Sequence, residues 1–408
     1  MRHLTAAAIY IAAFLLFAAC SPESSSYISQ RPVQNETIES PKYDKLPEQT
    51  FEWVTLDGGQ SQLDFNPQLD ILFVTDNSES MKGAQENLFK NMDKFTRSIT
   101  KNKMIDYHVG VISTWDGSEA YLKANQKYGI GELRYIKDSK GQSYNRRFVI
   151  KTDSKDILAS TLKIGAVPLA QGGPENEEFF SPLSAAIQKT GRGAANEEFF
   201  RENAQLVVIF LTDADDSASG DPKDIVKELI AFKGGRKDKV SIYGVLVNKK
   251  DKDDTKDWAL RVHPKYHPEC FKKEGKKQVQ ISGCGPFGPE RIEAAILEAN
   301  KYDGTPAEIL KKFIVNINSA NFGTELGSVG DSISIKTLRK EIFLGNLAPR
   351  SVDGKPLIKV SYGKQVINQG KGGWLYNAEN NSVVLSGDID YQYVEGAKFT
   401  VQVSPLTY

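Results

Sequence analysis

"DILFVTDNSES", residues 70–80, decides how the rest of the chain is read. The unbroken apolar run from Ile71 to Val74 reads as a strand buried on both faces. It stops at an acid followed by two serines spaced two apart. In open α/β sheets, ligands bind beyond the carboxyl ends of the strands. Asp76, Ser78 and Ser80 therefore stand where chemistry is expected, with one carboxylate and two hydroxyls sent to the same side of a loop.

The stretch downstream is helical. "GAQENLFKNMDKFTRSIT" sets Leu88, Met92, Phe95 and Ile99 at helical spacing, so one face packs inward. Strands "DYHVGVIST", "AQLVVIFLTD" and "KVSIYGVLV" then alternate with helices "SPLSAAIQKT", "GDPKDIVKELIAF", "PERIEAAILEAN" and "PAEILKKFIVNINS". Asp221 reads as a helix cap with Pro222 in the first turn. "ELRYIKDSKGQSYNRRFVIKT" reads as a hairpin about Lys140-Gly141. Continuous strands between amphipathic helices imply an α/β fold, a doubly wound and mostly parallel sheet, over residues 67–330. Residues 331–408 carry only short strand patterns broken by Gly and Asn turns, which predicts a smaller C-terminal all-β domain. Residues 48–66 read as a β-hairpin turning at Asp57-Gly58-Gly59; with no helix to pair with, it is assigned to that β module.

A second strand end is also acidic: "VVIFLTDADDS" delivers Asp213. Two carboxylates and two hydroxyls make a small hard-oxygen cage. Such a cage suits Mg²⁺ or Mn²⁺, with Ca²⁺ a further oxygen-seeking candidate. Few protein negative charges would leave the ion electrophilic, able to take an acidic side chain from a partner. Asp215 and Asp216 read as a solvated acidic loop, and Trp115 and Asp116 as residues on the ligand-bearing edge where a partner could touch them.

"DILFVTDNSESM" before an amphipathic helix, "HVGVIST" and "LVVIFLTDADD" together resemble the von Willebrand factor type A domain. That family's metal-ion-dependent adhesion site uses an Asp-x-Ser-x-Ser loop, a threonine from a second loop and an aspartate from a third. The resemblance implies the roles of Asp76, Ser78, Ser80 and Asp213 as metal-holding groups. It also implies adhesion to a protein or surface ligand offering an acidic group. "GGPENEEFFSPLSAAI", "FFRENAQLVVIFLTDADDS" and "GWLYNAENNSVVL" are similar to exported bacterial proteins that join this domain to a C-terminal β module. The second loop departs from the pattern, because "GGPENEEFFSPLSAAI" has no threonine. Ser181 could supply the hydroxyl, or Glu177 or Glu178 a carboxylate, and the two glutamates could instead be a solvated loop face.

The chain begins with an export pattern. Met1-Arg2-His3 is followed by the uncharged "LTAAAIYIAAFLLFAA", nearer the ~15 residues of a signal peptide than the ~20 of a spanning helix. "FAAC" before Ser21-Pro22 resembles the lipobox of bacterial lipoproteins. It implies a signal peptide over 1–19, palmitate and related acyl groups on Cys20, and lipid anchoring at the outer membrane in the cell envelope. Residues 20–47 are rich in Ser, Pro and charge and read as a flexible tether. Export also bears on Cys270 and Cys284. In an oxidising setting they are expected to form a disulfide closing a loop of about 15 residues, worth roughly 3 kcal/mol in the chain-entropy model. A zinc site with His263 and His267 is the alternative.

Lys+Arg and Asp+Glu are equal at 52 each, so no global field favours nucleic acid. Neither a zinc-protease helix motif nor a nucleophile elbow occurs, and the 4 histidines show no spacing to a serine. The expectation is a binding protein, not an enzyme, with a metal-independent accessory subunit of an envelope complex as the alternative.

Overall fold

The computed structural model describes residues 51–56, 67–247, 268–282, 289–389, 391–392, 394 and 396–406. The expected signal peptide, Cys20, the tether, the turn Asp57-Gly58-Gly59, His263, His267 and Cys284 lie outside the described residues.

A short strand β1 (Val54–Thr55) precedes the strand that opened the reading, β2 (Gln68–Thr75). Then follow α1 (Lys82–Thr100), β3 (Asp106–Ser113), α2 (Glu119–Ala124), β4 (Val149–Ile150), α3 (Lys155–Leu162) and α4 (Phe180–Gln188). The body continues through β5 (Gln205–Thr212), α5 (Pro222–Phe232), β6 (Val240–Leu246), the hairpin β7 (Phe271–Glu274) and β8 (Lys277–Gln280), α6 (Glu290–Ala299), α7 (Pro306–Phe313), β9 (Ile314–Asn316) and α8 (Phe322–Leu338). Six strands form one sheet in the order β4-β3-β2-β5-β6-β9. Neighbours run parallel except β4, which lies antiparallel to β3.

Leu69 and Ile71 to Val74 on β2, and Leu206 to Leu211 on β5, are buried because helices cover both faces of the sheet. Leu88, Met92, Phe95 and Ile99 all turn inward as their spacing predicts, and Phe95 meets Phe73 edge-on at 5.7 Å. Burying each such side chain is worth about 1.5–3 kcal/mol. Asp70, inside the apolar run, is fully buried. Arg201 satisfies it, with its backbone N–H on Oδ2 at 2.7 Å and Nε on Oδ1 at 2.9 Å, while reaching Asp106 Oδ2 at 2.6 Å.

Two segments differ from the sequence reading. "FIVNINS" is not the end of a helix: α7 stops at Phe313, and Ile314–Asn316 becomes the edge strand β9 beside Gly244 to Leu246. The β-branched pair Ile314-Val315 prefers the pleated edge, where packing decides over helical spacing. The helix α8 escaped the pattern altogether and runs through position 330, where the body was expected to end. Its Gly323, Gly327 and Gly330 face α1, and a Cβ at Gly330 would stand 2.7 Å from that of Ser98. Glycine costs a helix about 1 kcal/mol per residue, but here it admits the neighbouring helix.

After α8 come β10 (Lys340–Phe343), β11 (Ser351–Val352), β12 (Lys355–Pro356), β13 (Ile358–Tyr362), β14 (Gln365–Ile367), β15 (Trp374–Asn377), β16 (Ser382–Leu385) and β17 (Phe399–Val403). They form antiparallel sheets ordered β1-β17-β13-β14 and β10-β16-β15, plus the β11-β12 hairpin. Val54 pairs with Val403, so the segment before the α/β body adds a strand to the C-terminal sheet. Trp374 is buried there, its Nε1 donating to Ile367 O at 2.9 Å. Among the described residues no helix is long and apolar enough to cross a membrane. Cys270 is fully buried.

Candidate metal centre

The register aligns three strand ends. Thr75 of β2 lies beside Ser113 of β3 and Leu211 of β5, so the loops after all three emerge from one edge of the sheet. The loop after β2 carries Asp76, Ser78 and Ser80, and Ser80 lies in a short 3₁₀ turn over Glu79–Met81 that feeds α1.

The four expected ligands come together. Asp76 Oδ1 accepts from Ser78 N at 2.8 Å, Ser78 Oγ meets Ser80 Oγ at 2.8 Å, and Ser80 Oγ donates to Asp213 Oδ1 at 3.0 Å. Asp76 is fully buried and Asp213 is 6% exposed. Burial pushes the Asp76 carboxyl above its usual range, against the opposing pull of hydrogen bonds from Ser78 and Thr212. A cation would relieve that desolvation. All four groups offer oxygen, the donor chemistry that hard divalent cations select, and in that respect the set fits Mg²⁺ or Mn²⁺. Among the described residues there is no group of three or more His, Cys, Asp or Glu placed for a metal, so hydroxyls make up half of this cage.

Three supporting groups were missed in the sequence. Thr212 Oγ1 donates to Asp76 Oδ2 at 2.9 Å and accepts from Ala214 N at 2.8 Å. Its signal was its place directly before Asp213. Gln85 Nε2 donates to the Asp76 carbonyl at 2.7 Å, and Thr114 Oγ1 donates to Asn77 Oδ1 at 2.9 Å. Neither contact leaves a mark in local spacing.

The second loop reaches the same edge. Glu178 exchanges backbone hydrogen bonds with Trp115, at 3.0 and 2.9 Å, and Ser217 N donates to Glu177 O at 2.9 Å. The Ser181 hydroxyl donates to the Glu178 carboxylate, so these two candidates are joined to one another.

Three acids expected at the surface do other work. Asp116 is buried and does not present itself to a partner. It accepts from Ser118 N at 2.8 Å, Glu175 N at 2.8 Å and Asn176 N at 3.2 Å. Burial alone would raise its carboxyl, but these N–H groups outweigh it and hold it low. Asp216, fully buried, accepts from Phe179 N at 2.7 Å and Phe180 N at 3.0 Å and pairs with Arg291 at 3.2 Å. Asp215 accepts from Arg291 N at 3.1 Å and Ile292 N at 3.2 Å at the start of α6, and burial pushes it up to about 7. The reading of Asp215 and Asp216 as a solvated loop is thus corrected: orphan N–H groups at helix starts need acceptors, and these carboxylates supply them.

Neither family models nor curated protein sequences give a match. Among solved structures, the chain is similar to proximal thread matrix protein 1 from the mussel byssus, with 13% identity and a TM-score of 0.35, covering 69% of this chain and 50% of that one. A crystal form of that protein with a zinc-occupied MIDAS motif gives 12% identity and 0.33 over the same shares. The open conformation of the pilus adhesin SpaC from Lactobacillus rhamnosus GG gives 10% identity and 0.34, over 84% of this chain and 39% of that one. The chain spans half or less of the length of these proteins. Likeness at this level says nothing of activity.

Proposed function

We propose that this chain is a von Willebrand factor A-like binding protein, not a catalyst, that grips a protein or surface ligand through a divalent cation. The observation that carries the reading is the single hydrogen-bonded run joining Asp76, Ser78, Ser80 and Asp213 at the carboxyl edge of the sheet. These residues would hold Mg²⁺ or Mn²⁺, and an acidic side chain of the partner would complete its shell. Lipid anchoring through Cys20 at the outer membrane is the setting proposed with it, supported by the "FAAC" ending.

The test is calorimetric titration of Mg²⁺ and Mn²⁺ into the protein beside Asp76→Ala and Ser181→Ala. Binding lost in Asp76→Ala supports the centre, and a further loss in Ser181→Ala makes Ser181 the second-loop ligand. One observation favours a second reading, a metal-independent accessory subunit: the Ser181 hydroxyl is already engaged by Glu178. Partner capture that survives chelation of divalent cations would decide for it.

A further inference from the structure

Beside the cage lies a cavity of about 300 Å³ whose wall includes Asn77, the residue between Asp76 and Ser78. Lys127, Arg134 and Lys137 line it, and none of its lining residues is acidic. A recess lined by one sign of charge concentrates counter-ions, because its low-dielectric walls focus the field.

Arg134 is built into this wall. One terminal nitrogen donates to Ser113 Oγ at 2.6 Å, and the guanidinium lies over the Tyr128 ring at 4.2 Å from its centre. Its Nε is buried without a hydrogen-bond partner. Leaving a charged donor unpaired costs more than the 1–3 kcal/mol or so typical of a neutral group, so Arg134 carries a positive charge that its neighbours do not fully satisfy. Lys137 feels the crowding: burial lowers its affinity for a proton, and Lys163, Arg134 and Lys127 lower it further. Asn77 uses its side-chain oxygen on Thr114, and among the described residues its side-chain nitrogen has no bonded acceptor.

We propose that this pocket is an oxyanion site that takes a dianionic group, phosphate or sulfate. Three cations without a compensating acid match two negative charges better than one, and guanidinium and ammonium donors suit tetrahedral oxyanions. The site stands on its own residues and does not require a cation in the neighbouring cage.

The experiment is calorimetric titration of sodium phosphate and, separately, sodium sulfate into the full chain at ionic strength fixed with chloride. Sodium acetate is the third arm. Phosphate and sulfate are expected to bind saturably, with acetate at least about tenfold weaker, a difference of ~1.4 kcal/mol. The double variant K127Q/K137Q leaves Arg134 in place; it is expected to weaken phosphate at least about tenfold without lowering the unliganded melting temperature. Ser78→Ala, which alters the cage alone, is expected to leave phosphate affinity unchanged, so failure of the metal reading and failure of this one are separable. Absence of saturable binding up to on the order of 10 mM overturns the proposal. So does equal affinity in the double variant. Acetate binding as tightly as phosphate overturns the dianion class.

Discussion

The hydroxyl of Thr212 donates to Asp76 Oδ2 at 2.9 Å across 136 residues of sequence. It ties the end of β5 to the end of β2 and holds the one fully buried carboxylate of the cage in place. Thr212→Val keeps the shape and removes the donor. Unfolding in denaturant should show a loss of about 1–3 kcal/mol, the cost of stranding a buried acceptor. Divalent-cation affinity should fall with it.

Asp76→Asn should separate stability from binding. Because burial raises the Asp76 carboxyl, its charge is a burden to the cation-free fold. Removing that charge should leave the melting temperature in chelator equal to or above that of the unaltered protein. The same variant should show no Mg²⁺ heat in calorimetry, and a melting temperature lowered by several degrees in chelator would contradict this account.

Asp70 gives a pH dependence of defined sign. Its carboxyl is raised from the usual 3.8 to about 6, first by burial, with Arg201 pulling back down. The folded state therefore holds a proton between these values that the unfolded chain has released, so this group's contribution falls as pH rises through that window. Relative to Asp70→Asn, the unaltered protein should lose about 1–3 kcal/mol between pH 4 and pH 7. Paired denaturant titrations at the two values measure it. Loss of Arg201 is more severe: Arg201→Ala strands Asp70 and should cost about 3–5 kcal/mol.

The glycines of α8 should respond oppositely. A Cβ at Gly327 meets nothing closer than 3.5 Å, so Gly327→Ala should stabilise by about 0.5–1 kcal/mol through helix propensity. At Gly330 the new Cβ would stand 2.7 Å from the Ser98 Cβ and 3.1 Å from the Phe95 carbonyl oxygen. Gly330→Ala should therefore destabilise by about 1–3 kcal/mol through overpacking. Thermal melts of the two variants side by side give the sign directly.

Residues 70–80 and 205–213 were legible because strand burial and loop chemistry are local: an apolar run shows its strand, and the acid that ends it shows the edge. From these the parallel sheet and the four-oxygen cage both followed. Of the supports of the cage, Gln85 and Thr114 were not legible, since they act across strands and loops that only the sheet brings together, while Thr212 was overlooked although it stands directly before Asp213. Asp116, Asp215 and Asp216 were misread for a related reason. A cluster of acids in a loop resembles a solvated surface until the helix starts that need their oxygens are known. The helix α8 was hidden by its glycines, which weaken the apolar period while making the contact with α1 possible.

That contact has a mechanical side. Only Arg339 separates the end of α8 from β10, so a load on the C-terminal strands meets one residue of slack before it reaches the helix. Gly323 and Gly330 bring α8 too close to α1 for it to roll freely, and the Ser334 hydroxyl grips the Ser98 carbonyl at 3.1 Å. At its far end α1 continues from the turn that carries Ser80. The C-terminal strands and the serine hydroxyls of the cage are thus geared through two helices, with the glycine backbone of α8 seated directly on Asn91, Lys94 and Ser98 of α1.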